Sequence, residues 1–196
     1  MIRALVSSVI AVVVITAFFG LLYPAVMTGF ANVAFSGKAN GSLITKNGTV
    51  VGSSLAAQGF TGDRFFHERP SATSPAYNAG ATTFANLGPT NPQLAKNVDA
   101  AIAAILQLEG PYNPGLTKAG IPVDAVTTSA SGIDPDISQA YAQLQSHRIA
   151  TVRHLPLATV QSLISKNTDG RSIGFFGEPG VNVLKLNLAL DKETGR

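Results

Sequence analysis

Three histidines, eleven carboxylates and no cysteine are the chain's stock of reactive side chains, so thiolate nucleophiles and cysteine-ligated metals are excluded at once. His67-Glu68 opens like the zinc-binding pattern His-Glu-x-x-His, but Ser71 stands where the second ligand belongs and Pro70 would break the helix that carries it. His147 and His154 are two helical turns apart and can share a face, without an obvious third ligand. Asp134 and Asp136 form a close pair of carboxylates. Around Pro135 they predict a helix start, Asp134 capping and both charges complementing the helix dipole, rather than acid–base work. The only Gly-Lys pair, Gly37-Lys38, has Asn32 where a phosphate loop needs its first glycine, and no lysine stands three residues after a serine. No catalytic, metal-binding or cofactor-binding residue is assigned. Arg69, Arg148 and Arg153 remain as polar candidates with surface or ion-pair roles.

Charge explains why so little chemistry is visible. Charged residues are only 13% of the chain, and none lies between Arg3 and Lys38. Beyond that gap stand 13 of the 14 basic residues and all 11 acidic ones, a net charge of only +2. No cationic footprint for nucleic acid is present. The gap itself is an apolar run, Ala4–Met27, whose helix would span roughly 36 Å against a hydrocarbon core of about 30 Å. It is longer than the apolar region of a signal peptide and is followed by only a poor Asn32-x-Ala34 cleavage site, so it is read as a retained anchor in membrane lipid. Gly20 and Pro24 near its far end disturb the helix backbone, Tyr23 serves as an interfacial anchor, and Ser7, Ser8 and Thr16 can bond back to helix carbonyls. Arg3 and the initiating amine place the N-terminus in the cytoplasm and the body of the chain outside it.

The predicted organisation is a transmembrane anchor over 1–30 and an extracytoplasmic α+β domain with a small sheet over 31–196. Asn47-Gly48 predicts a hairpin between strands at Ser42–Ile44 and Thr49–Val51. Thr61–Thr90 reads as a long irregular stretch whose aromatic content argues for order, and hence for an interface. Phe65, Phe66, Arg69, Tyr77 and Asn86 are its candidate contact residues. Helices are expected from Pro92 to Leu108 with Asn91 as cap, from Asp134 through Leu144 with a break before a continuation from His147 to Arg153, and from Pro156 to before Asp169. Leucines at 184, 186, 188 and 190 alternate with Lys185, Asn187 and Ala189 and predict a strand.

Several phrases in order carry a resemblance: NGSLI (Asn40–Ile44), FHERPSAT (Phe66–Thr73), YNAGATTFANLGPTNPQL (Tyr77–Leu94), VTTSASGIDPDIS (Val126–Ser138) and GEPGVNVLKLNLALD (Gly177–Asp191). Together with the anchor, they make the whole chain similar to the Kdp potassium-transporting ATPase C chain family. It departs from that family at Glu68, usually Gly, at Thr83-Phe84-Ala85, usually Gly-Gly-Ser, and at His147, usually Pro. The resemblance implies a non-catalytic subunit of an inner-membrane K+ pump. Its partners would be a potassium-channel-like subunit and a P-type ATPase subunit, and ATP would belong to the latter. It also implies support of assembly and a chaperone-like rise in the pump's apparent ATP affinity. The alternative is a membrane-tethered exported enzyme or small-ligand-binding domain using His67, His147, His154 and Asp136.

Overall fold

The computed structural model describes residues 1–195 and divides them into two compact units, 1–51 and 52–195. In the first, α1 (Ile2–Ala17), a π-helical turn (Phe18–Leu22) and α2 (Tyr23–Ala34) form one continuous apolar helix of 33 residues with no buried side chain. The π turn has a local cause. Pro24 has no N–H to return to Gly20, and the preceding Tyr23 N–H reaches back five residues to Phe18 O. Ser8 Oγ donates to Ala4 O at 2.9 Å, the back-bonding that satisfies a hydroxyl in apolar surroundings. A short turn of helix, α3 (Ser36–Ala39), leads into a hairpin of β1 (Leu43–Lys46) and β2 (Thr49–Ser53). Its turn residues Asn47 and Gly48 both have left-handed φ, 52° and 78°, as a two-residue hairpin turn of the expected kind requires.

The second unit is α+β. α4 (Pro92–Glu109) starts on Asn91, whose side chain accepts from Gln93 N, and turns Ile102 and Ile105 inward. β3 (Asp136–Ile137) precedes α5 (Gln139–Arg153), and α6 (Leu157–Lys166) follows. β4 (Thr168–Asp169) and β5 (Gly180–Asn182) complete an antiparallel sheet of order β3-β5-β4, with Asp136 opposite Asn182 and Thr168 opposite Val181. α7 (Val183–Glu193) closes the described chain. The core forms where α5, α6, α7 and the sheet meet, around Ile149, Val160, Ile164, Val181, Leu186 and Leu190. Residues 61–90 contain no helix or strand, as their composition predicts.

Three expectations are corrected. Leucines 184–190 lie in a helix, because Val183, Leu186, Asn187 and Leu190 follow the i, i+3, i+4, i+7 spacing of a buried helical face and Asn182 caps it by accepting from Lys185 N at 3.2 Å. Alternation and helical periodicity share several of these positions, and the Leu, Lys and Ala between them favour the helix. Asp134 is no helix cap. Its Oδ1 accepts from Asp136 N, which forms a turn into β3, and the cap of α5 is Ser138, accepting from Tyr141 N. α5 is also unbroken through His147. The expected break reflects polar Gln145, Ser146 and Arg148 on a face that is nonetheless buried.

Candidate partner-docking segment

Although irregular, residues 62–79 are held to the domain at several points. α5 and α7 present amide side chains that act as a missing neighbouring strand. Gln145 Oε1 accepts from His67 N at 2.8 Å while its Nε2 donates to His67 O at 3.0 Å. Asn187 does the same for Phe66, at 2.8 and 3.0 Å. Buried main-chain groups must find partners, and here side chains supply what a β ladder otherwise would.

Arg148 is the hinge pin of this arrangement. Its side chain and that of Glu109 are fully buried, with Nε donating to Glu109 Oε1 at 2.8 Å. Nη1 donates to Asp63 O and Phe65 O, and Nη2 to Gln145 Oε1 at 2.9 Å. The guanidinium thus ties α4, α5 and the irregular segment at one point. Burial pushes the Glu109 carboxyl upward, and Arg148 offsets part of that rise. Arg153 extends the pattern, donating to Arg64 O at 2.7 Å and to Asp191 Oδ1 at 2.9 Å.

The candidate contact residues divide according to this scaffold. Phe66 is fully buried in the core and displays no surface, because Asn187 turns its peptide inward. Phe65 is half-buried beside Phe60, with the Arg64 and Arg153 guanidinium carbons each 5.3 Å from its ring centroid. Arg69 pairs with Asp134 Oδ2 at 3.0 Å and reaches Thr128 O. Tyr77 donates its hydroxyl to Arg69 O at 3.0 Å, and burial, aided by the Glu68 charge, pushes that hydroxyl up to about 12. Asn86 lies apart from them, exposed, with a left-handed φ of 50°.

Glu68, one of the departures from the family pattern, is 4% exposed and accepts from Gln58 N at 3.4 Å and Phe60 N at 3.1 Å. Burial raises its carboxyl above the usual range, and the amide donors offset part of the rise. His67 is held low mainly by burial, with Nε2 against Gly62 O at 2.9 Å. Asp136 is raised by burial and accepts from Asn182 at 2.9 Å. Among the described residues no three His, Cys, Asp or Glu side chains converge to hold a metal.

One nucleophile pattern escapes the search above. Gly170-Arg171-Ser172-Ile173-Gly174 spells Gly-x-Ser-x-Gly. The chemistry of that pattern needs a strand-to-helix elbow, whereas Ser172 sits between β4 and β5, and the histidine contacts described above do not involve it. Sequence reasoning also missed Gln145 and Asn187, the side chains that organise the segment. Asn187 was hidden by the strand reading, since alternation places it on the solvent side.

Comparison with known proteins finds relatives along nearly the whole chain. Residues 5–192 match the family model described as K+-transporting ATPase, c chain (KdpC). A potassium-transporting ATPase KdpC subunit from Acidobacterium capsulatum is 47% identical over 186 residues, covering 95% of this chain and 96% of that one. Its counterpart from Burkholderia orbicola is 51% identical, with 93% of each chain covered. The counterpart from Bradyrhizobium diazoefficiens is 44% identical over the whole of both chains. With an apolar helix at the front, an α+β unit behind it and identity at this level along nearly the full length, the chain belongs to the K+-transporting ATPase c chain (KdpC) family.

Proposed function

We propose that this chain is the non-catalytic C subunit of a high-affinity, ATP-driven K+ uptake pump, held in the inner membrane by its single apolar helix. The observation that carries the proposal is the family match over residues 5–192 in a chain whose first 34 residues include a 33-residue apolar helix. Arg3 and the initiating amine precede the span, which favours a cytoplasmic N-terminus and an extracytoplasmic domain from about residue 31 onward. The partners are a channel-like K+-carrying subunit and the P-type ATPase subunit that binds and hydrolyses ATP.

In this role the domain contributes shape. The segment around Phe65, Arg69 and Tyr77 is fixed in advance by Arg148, Gln145 and Asn187, so little ordering remains to be done on assembly. Phe66 supports that segment from inside the core. An effect on ATP affinity is indirect, through packing that favours the nucleotide-binding conformation of the ATPase subunit. K+-stimulated ATP hydrolysis by the pump, purified with and without this chain, tests it: the apparent KM for ATP should be lower when the chain is present. An equal KM in both preparations leaves only the assembly role.

A further inference from the structure

Arg153 ends α5 with a guanidinium that the fold only partly uses. Its side chain is 3% exposed, with Nε donating to Arg64 O at 2.7 Å and Nη1 to Asp191 Oδ1 at 2.9 Å. The third nitrogen, Nη2, is buried and has no hydrogen-bond partner. A buried donor left in that state costs free energy, and a guanidinium presents its donors in a fork that matches an oxyanion. The same side chain lines a cavity of about 290 Å³, walled otherwise by Arg64, Val152, His154 and Thr194. No carboxylate stands in that wall. The half-buried Arg64 rests its guanidinium on the Phe65 ring and forms no ion pair among the described residues. The Arg153 guanidinium carbon is the same 5.3 Å from that ring centroid, so the two cations lie no more than twice that distance apart. Asp191 neutralises one of them and Arg64 stays uncompensated.

We propose that this cavity binds a phosphate group, held between the Arg64 guanidinium and Arg153 Nη2 with His154 at its rim. The lining sets the class. Two arginines facing no carboxylate repel a metal cation, and an apolar ligand would leave Nη2 as unsatisfied as before. A purine ring would find no aromatic slot there, so the ligand is a phosphate without a base. A carboxylate fills one guanidinium fork, whereas a tetrahedral phosphate presents oxygens to both. The ends of α5 and α7 meet at this cavity, and helix C-termini by themselves disfavour an anion. Their last carbonyls are already engaged, however: Ala150 O accepts from Leu155 N, Thr151 O from His154 N and Leu190 O from Thr194 N. The arginines therefore set the local field. Arg64, whose side chain donates no hydrogen bond among the described residues, can swing aside to admit the ligand. Free phosphate and the phosphodiester of a lipid headgroup offer the same oxyanion. The proposal goes beyond the pump role and does not depend on it.

The test is a calorimetric titration of the full chain in dodecyl maltoside, at neutral pH and constant ionic strength. One arm uses inorganic phosphate and the other dihexanoylphosphatidylglycerol below its micelle concentration. Saturable heat should appear with at least one probe; phosphate alone assigns the site to free phosphate, and the lipid alone to a headgroup. Arg64→Gln removes no side-chain hydrogen bond of the fold, so the ligand-free variant should melt as the parent does. Its binding of the same probe should be weaker by about tenfold or more. Arg153→Lys keeps the charge but loses the fork, and should weaken binding too. Absence of saturable heat with both probes overturns the proposal. Binding of undiminished strength by Arg64→Gln, or an equal response to chloride, overturns it as well.

Discussion

Arg148 shows how much one buried charge can organise. It satisfies Glu109 on one side and two carbonyls of the irregular segment on the other, so its removal leaves a buried carboxylate and two partly buried acceptors without this donor. Replacing Arg148 by Met should therefore destabilise the domain by about 3–5 kcal/mol, seen as a lower urea midpoint. Glu109→Gln leaves the Arg148 cation buried without its counter-charge and should also destabilise by about 3–5 kcal/mol. An unchanged urea midpoint in either variant would show that the pair does not hold the domain together. Glu68 makes a pH prediction. Its carboxyl is raised in the folded state, so the fold holds that proton to higher pH than the unfolded chain does. The resulting stabilisation is complete below the unfolded value of about 4.3 and is lost as pH rises through the folded value. Unfolding midpoints should fall from pH 4 towards neutrality, and Glu68→Gln should flatten that slope. Parallel slopes would show that Glu68 is not its source.

Elements carry the next set of effects. Asn182 ends β5, caps α7 and donates to both Ser54 O and Asp136. Loss of the cap and of these bonds in Asn182→Ala should cost about 2–3 kcal/mol, against about 1 kcal/mol for the exposed cap in Asn91→Ala. Chemical denaturation of the two variants side by side checks the ranking. Gly132 has a φ of 72°, and a Cβ there would lie 2.7 Å from Thr73 Cγ2 and 2.8 Å from Thr83 O. Gly132→Ala should thus push the 73–83 stretch off the domain and speed its cleavage by proteases, with unchanged cleavage arguing that the stretch is held elsewhere. The same elements mark what sequence could and could not disclose. The apolar front helix, the Asn47-Gly48 hairpin and α4 were legible because composition, turn chemistry and capping agree locally. α7 was misread because its leucines fit two periods at once, and the start of α5 because Asp-Pro-Asp resembles a cap when seen without its sheet partner. The docked segment was legible as ordered and aromatic. Its scaffold was not, because Gln145 and Asn187 act through tertiary contacts 78 and 121 residues away in sequence.

At the scale of the whole molecule, the division of labour is plain. A front helix of 33 residues, roughly 50 Å long, exceeds the apolar thickness of a bilayer, and the second unit carries the folded surface. Removing residues 1–34 should release the remainder from membranes into the soluble fraction, and protease added outside spheroplasts should digest the domain while sparing the N-terminus. Protection of the domain would reverse the proposed orientation. The most direct test of the central claim is recovery of the tagged full chain from potassium-starved cells in mild detergent, with its partners identified by mass spectrometry. The account predicts a P-type ATPase and a channel-like membrane subunit in stable association. Recovery of the chain alone, repeatedly and in several detergents, would contradict it.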